Sequence, residues 1–217
     1  MRRQRRSGYQ PTLAIRDELV DLQLQSRGNL GHEVIFQPVG SSLRSTASDI
    51  VPLKLYLQNV GAGSALEVEA QWRFDGLEFA NAIAQIDSDV GRSISIENDF
   101  VRFDGKGAWG ARYVQTHHVG TMSVSSPPIA VEVPFPFAYA ALSSTFFEAL
   151  LAKGKFDTAF DLPPLSLEIK FRDRTGKRGE AQFSISFQLI YIAAVRPELA
   201  PGESRNIGSG IFTARAA

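Results

Sequence analysis

Two stretches of this chain alternate between apolar and polar residues, and this period of two constrains the fold more than any other feature. Successive side chains of a β-strand point to opposite faces, so each alternating segment has one apolar and one polar face. The pattern predicts antiparallel strands that cover a core on one side. In the first stretch the apolar positions are Leu53, Leu55, Leu57, Leu66, Val68, Ala70, Trp72 and Phe74.

Both stretches are predicted to form hairpins. Residues 55–76 contain a strand, a turn of small residues and a second strand. In the second stretch, "DRTGK" (residues 173–177) separates two alternating arms, and Gly176 can adopt the positive φ that hairpin turns require. The apolar positions of these arms are Leu165, Leu167, Ile169, Phe171, Ala181, Phe183, Ile185, Phe187 and Leu189.

The patterns between the two stretches predict shorter elements. "SISIENDFVRFDG" indicates two short strands around its Asn-Asp pair, and "ARYVQTHHV" and "TMSVSS" indicate strands broken at Gly120. The prolines of "PIAVEVPFPF" favour an edge strand. Helical spacing predicts one helix from about Tyr139 to Lys153 with Gly154 as its C-cap, and a short helical turn over residues 78–86. Residues 12–26 fit a strand pair or a helix.

Strands joined by regular turns, without a βαβ rhythm, predict a mainly β fold, an antiparallel β-sandwich with one accessory α-helix. A length of 217 residues fits one domain. We expect a disordered basic tail over residues 1–10 and a single sandwich domain over 11–194, with its helix near 139–153. A C-terminal tail with one last strand around 211–214 is predicted over residues 195–217.

Composition limits the classes of partner. Lys and Arg together number 23, as do Asp and Glu, and such a balanced chain is a poor general nucleic-acid binder. The absence of cysteine excludes disulfides and thiolate metal sites. The longest mostly apolar run, residues 129–142, is too short for a transmembrane helix and contains Glu132 and two prolines.

The N-terminus carries a dense basic cluster, formed by Arg2, Arg3, Arg5 and Arg6. No apolar segment follows it, so we predict no signal peptide and favour a cytoplasmic location. The cluster is interpreted as a solubilising tail, with contact to an anionic lipid or nucleic-acid surface as the alternative.

The glycine pair of the first turn is not a dinucleotide fingerprint. A strand pattern follows Gly61 and Gly63, whereas a fingerprint requires a third glycine and a helix. We predict that Asn59, Gly61 and Gly63 serve the bend, since asparagine and glycine tolerate left-handed backbone. "NIGSG", residues 206–210, repeats this turn chemistry.

Metal binding has weak candidates, and we expect none of them to be a site. Neighbouring strand residues face opposite ways, so His117 and His118 would not share a metal, and His32 is distant in sequence. The segment "DSDVGRSISIEND" departs from the EF-hand pattern, because valine precedes its glycine and asparagine occupies the twelfth position. A calcium site of another kind would use the carboxylates of Asp87, Asp89, Glu97 and Asp99.

Catalytic motifs give no assignment. The chain has no Gly-x-Ser-x-Gly elbow, and its three histidines are scattered. Carboxylate pairs across a sheet are invisible in sequence. We therefore predict no catalytic residues, no cofactor and no enzymatic activity.

The first alternating stretch resembles the bacterial immunoglobulin-like sandwich domains of the CARDB (cell-adhesion-related) type. The resemblance rests on an alternating strand, Asn-x-Gly, a small-residue link, a second strand and Asp-Gly; the matching positions are Asn59, Gly61, Ala65, Val68, Asp75 and Gly76. "FRDRTGKRGEAQFSISF" is similar to a late hairpin of membrane-anchored bacterial sandwich proteins, and "LAPGES" to the turn before a final sandwich strand. About a third of the chain is covered. The resemblance implies an immunoglobulin-like domain, but the helix at 139–153 has no counterpart in a minimal module.

These observations predict a non-enzymatic binding or scaffolding module with an unidentified protein partner. Recognition would lie in loops at the ends of the sandwich, at residues 87–91, 104–110 and 37–49. One alternative is a metal-dependent hydrolase with a loop-borne site on the same sandwich. Another is a structural subunit of a larger assembly that pairs through an edge strand near Pro134.

Overall fold

The computed structural model describes residues 10–26, 32–40, 53–105, 108–154, 161–193, 199–200 and 203–217. The fold is mainly β, with 55% strand and 19% helix, and its strand pairs are antiparallel. The prediction of a mainly β antiparallel fold is confirmed. The basic cluster at residues 2–6 and most of the loop at 37–49 lie outside the described residues.

Thirteen strands and three helices are described. The strands are β1 (Leu13–Arg16), β2 (Glu18–Ser26), β3 (His32–Pro38), β4 (Lys54–Asn59), β5 (Ala65–Phe74), β6 (Ile94–Glu97), β7 (Phe100–Phe103), β8 (Trp109–Arg112), β9 (Gln115–Met122), β10 (Ala130–Pro134), β11 (Leu165–Arg172), β12 (Arg178–Ile192) and β13 (Ser204–Ala216). The helices are α1 (Gly76–Ile86), α2 (Ser88–Arg92) and α3 (Phe137–Lys153).

The strands form three sheets. A curled seven-stranded sheet has the order β3-β2-β13-β12-β11-β5-β9. A three-stranded sheet, β1-β4-β10, packs on the same core as the seven-stranded sheet. One hydrogen bond joins the two sheets: the indole of Trp72 on β5 donates to the Pro134 carbonyl on β10 at 2.8 Å. The third sheet, β6-β7-β8, packs on this core through Val101, which is fully buried.

The predicted hairpin over residues 55–76 is wrong in its pairing. Both arms are strands, but β4 pairs with β1 and β10, whereas β5 pairs with β11 and β9. The turn at residues 60–64 therefore connects two sheets. Both arms bury their apolar side, as the alternation predicts. Alternation indicates which side of a strand meets the core, but it does not indicate which strands pair with each other. Leu66 is only half-buried, since the register shifts next to Glu67, whose φ is 49°.

The second predicted hairpin is confirmed. β11 and β12 pair from Leu165 opposite Ile185 to Arg172 opposite Arg178. Gly176 has a φ of 81° in the turn. The Asp173 carboxylate accepts hydrogen bonds from the Thr175 hydroxyl at 2.6 Å and from backbone N–H groups, and these bonds lower its pKa.

The last strand is much longer than predicted. β13 has 13 residues and lies inside the seven-stranded sheet, between β12 and β2. Its alternation is hidden by glycines: a Cβ on Gly210 would lie 2.2 Å from the Phe187 ring, so the ring occupies the space that a side chain would need. The short strands predicted around residues 98–99 and the edge strand at the prolines are confirmed as β6, β7 and β10.

The predicted helix is confirmed as α3, and it is buried on most of its circumference. Phe147 on α3 contacts the rings of Phe36 on β3 and Phe187 on β12, at centroid distances of 5.9 Å each. The buried hydroxyl of Tyr139 donates to the Pro163 carbonyl at 2.7 Å. Gly154 ends the helix with a φ of 62°. The helix is thus an integral part of the core.

Candidate functional site

Asn59 joins three separate parts of the chain. Its side-chain amide donates hydrogen bonds to the carbonyls of Gly63 at 2.7 Å and Met122 at 3.2 Å. Its side-chain oxygen accepts from the backbone N–H groups of Thr12 at 3.3 Å and Gly61 at 3.1 Å. All four hydrogen-bonding positions of this buried amide are therefore used inside the protein.

The backbone of residues 10–12 packs closely against the glycines of this turn. A Cβ on Gly61 would lie 2.3 Å from the backbone nitrogen of Thr12 and 2.5 Å from the carbonyl oxygen of Gln10. Gly63 is buried, and its N–H donates to that same carbonyl at 3.2 Å. The space that a ligand would need beside Gly61 is filled by the segment leading into β1.

The candidate metal carboxylates serve other contacts. Asp87 caps α2, where its side chain accepts from the N–H groups of Asp89 and Val90, and it forms an ion pair with Lys153 at 2.9 Å. The hydrogen bond from Lys153 lowers the pKa of Asp87. Asp89 lies 3.7 Å from the Arg92 guanidinium.

Glu97 and Asp99 lie at the other end of β6. A strand rises about 3.3 Å per residue, so Glu97 lies about 10 Å along β6 from Ile94, the end of the strand that follows α2 and Asp89. Asp99 faces Arg112 at 3.9 Å. Across the part of the chain that the structure describes, no three His, Asp or Glu side chains come close enough to hold a metal ion together.

The histidines lie in different environments. His118 is exposed and lies 3.3 Å from the Glu69 carboxylate. His117 points to the opposite face, is half-buried, and its Nε2 is buried without a hydrogen-bond partner. His32 lies on β3, at the opposite edge of the seven-stranded sheet from β9.

We expect His117 to make stability depend on pH. Burial lowers its pKa below the ordinary value of 6.5. Below about pH 6.5 the unfolded chain is therefore protonated at this residue before the folded chain, and the free energy of unfolding falls as pH falls. Above that pH both states are neutral at His117, so it contributes no dependence. Urea unfolding at a series of pH values should show a smaller acid loss for His117→Gln than for the wild type.

His118→Gln is the matched control, because it changes the adjacent exposed imidazole. The His117 assignment fails if His118→Gln reduces the acid loss as much as His117→Gln does.

A cleft of about 540 Å³ lies where the seven-stranded sheet, α1 and the third sheet meet. Its floor contains the ring of Phe74, which contacts Tyr113 at a centroid distance of 5.7 Å. Leu77, at the start of α1, is 62% exposed beside it. The lining residues are Arg73, Phe74, Asp75, Gly76, Leu77, Glu78, Ile96, Tyr113, Pro164 and Ser166.

The polar groups of the cleft are anchored. The Asp75 side chain caps α1 by accepting from the N–H groups of Leu77 at 2.9 Å and Glu78 at 3.0 Å. Arg73 forms an ion pair with Glu168 at 3.2 Å, and the Tyr113 hydroxyl donates to the Asn98 carbonyl. The cleft thus combines aromatic side chains with charged groups that are held by contacts within the chain.

The sequence interpretation missed this cleft, although one signal for its position was present. The Asp75-Gly76 pair was attributed to a sandwich turn, but Asp75 is an N-cap, and Glu78 follows three residues later, as in a capping box. Gly76 is buried, and a Cβ there would lie 3.3 Å from Ile96. The predicted recognition loop at 87–91 is largely helix α2, and residues 106–107 of the loop at 104–110 lie outside the described residues.

The edge strand near Pro134 offers little backbone for pairing. The N–H of Phe135 bonds to Leu53 beside β4, so the alternate residues of β10, at positions 130, 132 and 134, direct their backbone groups away from β4. Pro134 has no N–H, and its carbonyl accepts from Trp72. Within β10, the backbone groups that remain directed to the free edge are those of Ala130 and Glu132.

Comparison of the chain with protein-family models, with curated proteins and with solved structures gives no match. Within the described ranges, no helix combines the length and the apolar character needed to cross a membrane.

Proposed function

We propose that this chain is a non-enzymatic binding module on an immunoglobulin-like β-sandwich, and that the cleft beside Leu77 is its recognition site. The exposed Leu77 side chain over the aromatic floor carries the proposal. An exposed apolar side chain next to a concave aromatic surface is the kind of feature that protein partners bury.

The partner chemistry follows from the charges at the rim. Arg73 shares the Glu168 carboxylate with Lys170, which lies closer to it, whereas Asp75 and Glu78 line the cleft next to Leu77 as exposed carboxylates. An extended protein segment with an apolar side chain followed by a basic residue complements this arrangement. The anchored polar groups reduce the ordering cost of binding.

A binding role is preferred to the hydrolase alternative because of how the loop carboxylates are used. Asp87 caps a helix and pairs with Lys153, and Asp89 and Asp99 face arginines. A loop-borne metal site would have to break these contacts.

Selection of a phage-displayed random peptide library on the full chain tests the proposal. We expect enriched peptides with an apolar-basic pair, and we expect Leu77→Gln to weaken their binding by about tenfold. The reason is that Leu77→Gln removes the exposed apolar contact without adding charge. Val60→Gln is the control, since Val60 is 50% exposed and outside the cleft. Failure to enrich any peptide, or equal binding to both variants, would contradict the assignment.

A further inference from the structure

One end of the molecule gathers three connections between strands. They are the turn at residues 60–64, the loop at residues 123–129 and the hairpin turn at residues 173–177, and we call this surface the loop end. The turn and the loop meet through Asn59, whose side-chain amide donates to the Met122 carbonyl at 3.2 Å, directly before the loop. The buried amide therefore holds these two connections together.

The hairpin turn lies at the same end because of the register of the seven-stranded sheet. Arg172, the last residue of β11, pairs with Leu66 near the start of β5. Ala65, the first residue of β5, pairs with Met122 at the end of β9. The hairpin turn therefore projects beyond the strand ends on the side from which the other two connections extend.

The turn and the loop expose apolar side chains without any charge among them. Val60 is 50% exposed, Val124 is 48% exposed and Ile129 is 68% exposed. Residues 58–65 and 120–131 contain no Asp, Glu, Lys or Arg. Exposed apolar surface of this kind marks a site of interaction with a protein or a membrane.

Hydrogen bonds fix the backbone of two of these apolar residues. The Val60 N–H donates to the Thr12 carbonyl at 2.8 Å, and the Ile129 N–H donates to the Ser125 hydroxyl at 3.0 Å. Both side chains are therefore presented at the surface by ordered backbone, which lowers the ordering cost of binding.

The hairpin turn adds positive charge at the same end. Residues 172–178 contain four cationic side chains and one carboxylate, that of Asp173. This carboxylate accepts hydrogen bonds within the turn, whereas the side chains of Arg174, Lys177 and Arg178 are exposed. The turn therefore presents a net positive charge to the solvent.

The basic cluster at residues 2–6 is connected to the loop end by a short length of chain. The Gln10 carbonyl accepts a hydrogen bond from the Gly63 N–H at 3.2 Å, so the first described residue lies against the turn. Arg6 precedes Gln10 by four residues, and a chain spans at most about 3.6 Å per residue, so their Cα atoms lie within about 14 Å. Chain connectivity therefore keeps part of this cluster near the loop end.

We propose that the loop end binds the surface of an anionic lipid bilayer. Val60, Val124 and Ile129 enter the headgroup layer, while the basic side chains of the hairpin turn and of the N-terminal segment contact anionic headgroups. Apolar insertion and electrostatic attraction are each weak alone, and membrane anchoring commonly combines the two. This surface is separate from the cleft, so the proposal does not depend on the proposed binding function.

A lipid surface is preferred to a protein partner because of where the apolar residues lie. They are on connections that project beyond the strand ends, and none of them lines the cleft. A headgroup layer accepts such projecting side chains without a complementary pocket. The positive charge on both sides of them complements anionic lipid.

Co-sedimentation of the full chain with lipid vesicles tests the proposal. We expect binding to vesicles of equimolar phosphatidylcholine and phosphatidylserine, and much weaker binding to phosphatidylcholine alone. Ile129→Gln should weaken binding to the mixed vesicles by about tenfold, because it removes the most exposed apolar side chain of the loop end. Ile190→Gln is the matched control, since Ile190 is 56% exposed near the opposite end of β12 from the hairpin turn.

A second pair of variants tests the charge. Arg174→Gln should weaken binding to the mixed vesicles by about fivefold, which is the usual contribution of one basic residue at an anionic surface. Arg92→Gln is the control, because it removes the same charge from an exposed arginine on α2, outside the loop end.

A fluorescence measurement covers the case in which a variant fails to fold. The chain has no cysteine, so Val124→Cys provides a single position for an environment-sensitive dye. On mixed vesicles its emission should shift to the blue and be quenched by lipids with brominated acyl chains. The same dye at Ser186→Cys, an exposed position within β12, should show neither change.

Four outcomes would overturn the proposal. They are no binding to the mixed vesicles, equal losses for Ile129→Gln and Ile190→Gln, a dye at residue 124 that stays in water, and binding to soluble polyglutamate as tight as binding to the mixed vesicles. The last outcome would assign the basic side chains of the loop end to an acidic protein partner.

Discussion

Replacement of Asn59 by alanine is expected to lower the free energy of unfolding by about 3 kcal/mol. The substitution leaves the Gly63 and Met122 carbonyls and the Thr12 and Gly61 N–H groups without the amide that now satisfies them. Burial makes this loss large, because water does not readily replace a side chain that is 3% exposed. Urea unfolding followed by circular dichroism measures the effect.

The chain supplies its own matched control. Asn206 occupies the same Asn-x-Gly arrangement, and its side-chain oxygen accepts from the Gly208 N–H at 2.9 Å. Asn206 is exposed, so water can take over that bond, and Asn206→Ala should cost less than about 1 kcal/mol. Equal losses in the two variants would mean that the turn chemistry matters and the buried connection does not.

Trp72→Ala is the second substitution with a large expected effect, a loss of about 4 kcal/mol. Trp72 is completely buried and contacts Phe135 at a centroid distance of 5.8 Å. Its removal leaves a cavity between the seven-stranded sheet and the three-stranded sheet, and it deprives the Pro134 carbonyl of its donor. Trp72→Phe retains an aromatic ring but loses the hydrogen bond, so an intermediate loss of about 2 kcal/mol is expected.

Trp109→Phe is the control for this series. Trp109 is half-buried and stacks on Phe103 at a centroid distance of 6.0 Å, so its replacement should cost about 1 kcal/mol or less. The chain contains two tryptophans, and each single variant therefore leaves one fluorescent reporter of unfolding. A Trp72→Ala protein as stable as Trp109→Phe would contradict the view that Trp72 links the two sheets.

Local patterns predicted the elements better than their arrangement. The alternation of residues 165–189 identified both strands and their pairing, since a short turn holds the arms together. The same alternation at residues 53–74 identified two strands and the wrong partner. A turn of five residues can return the chain to its own sheet or pass it to another. Here the Asn59 side chain accepts a hydrogen bond from the N–H of Thr12, 47 residues away in sequence, and Gly61 packs against the same segment before β1.

The candidate site shows the same limit. Asp75 and Glu78 carried a local signal for the start of a helix, which sequence reasoning can use. The position of Tyr113 against Phe74 depends on how the third sheet packs, and no local pattern reports it. The position of the hairpin turn at the loop end likewise became visible only through the register of β5 with its neighbours.

The central position of β13 bears on the order of events during synthesis. Strands β2 and β3 leave the ribosome early, but β2 joins the rest of its sheet through a segment that emerges almost two hundred residues later. Until then, β2 and β12 each present an unpaired edge, which is a template for aggregation. Closing so long a loop is entropically costly and slow. We therefore expect a nascent chain of this protein to be prone to aggregation until β13 is inserted.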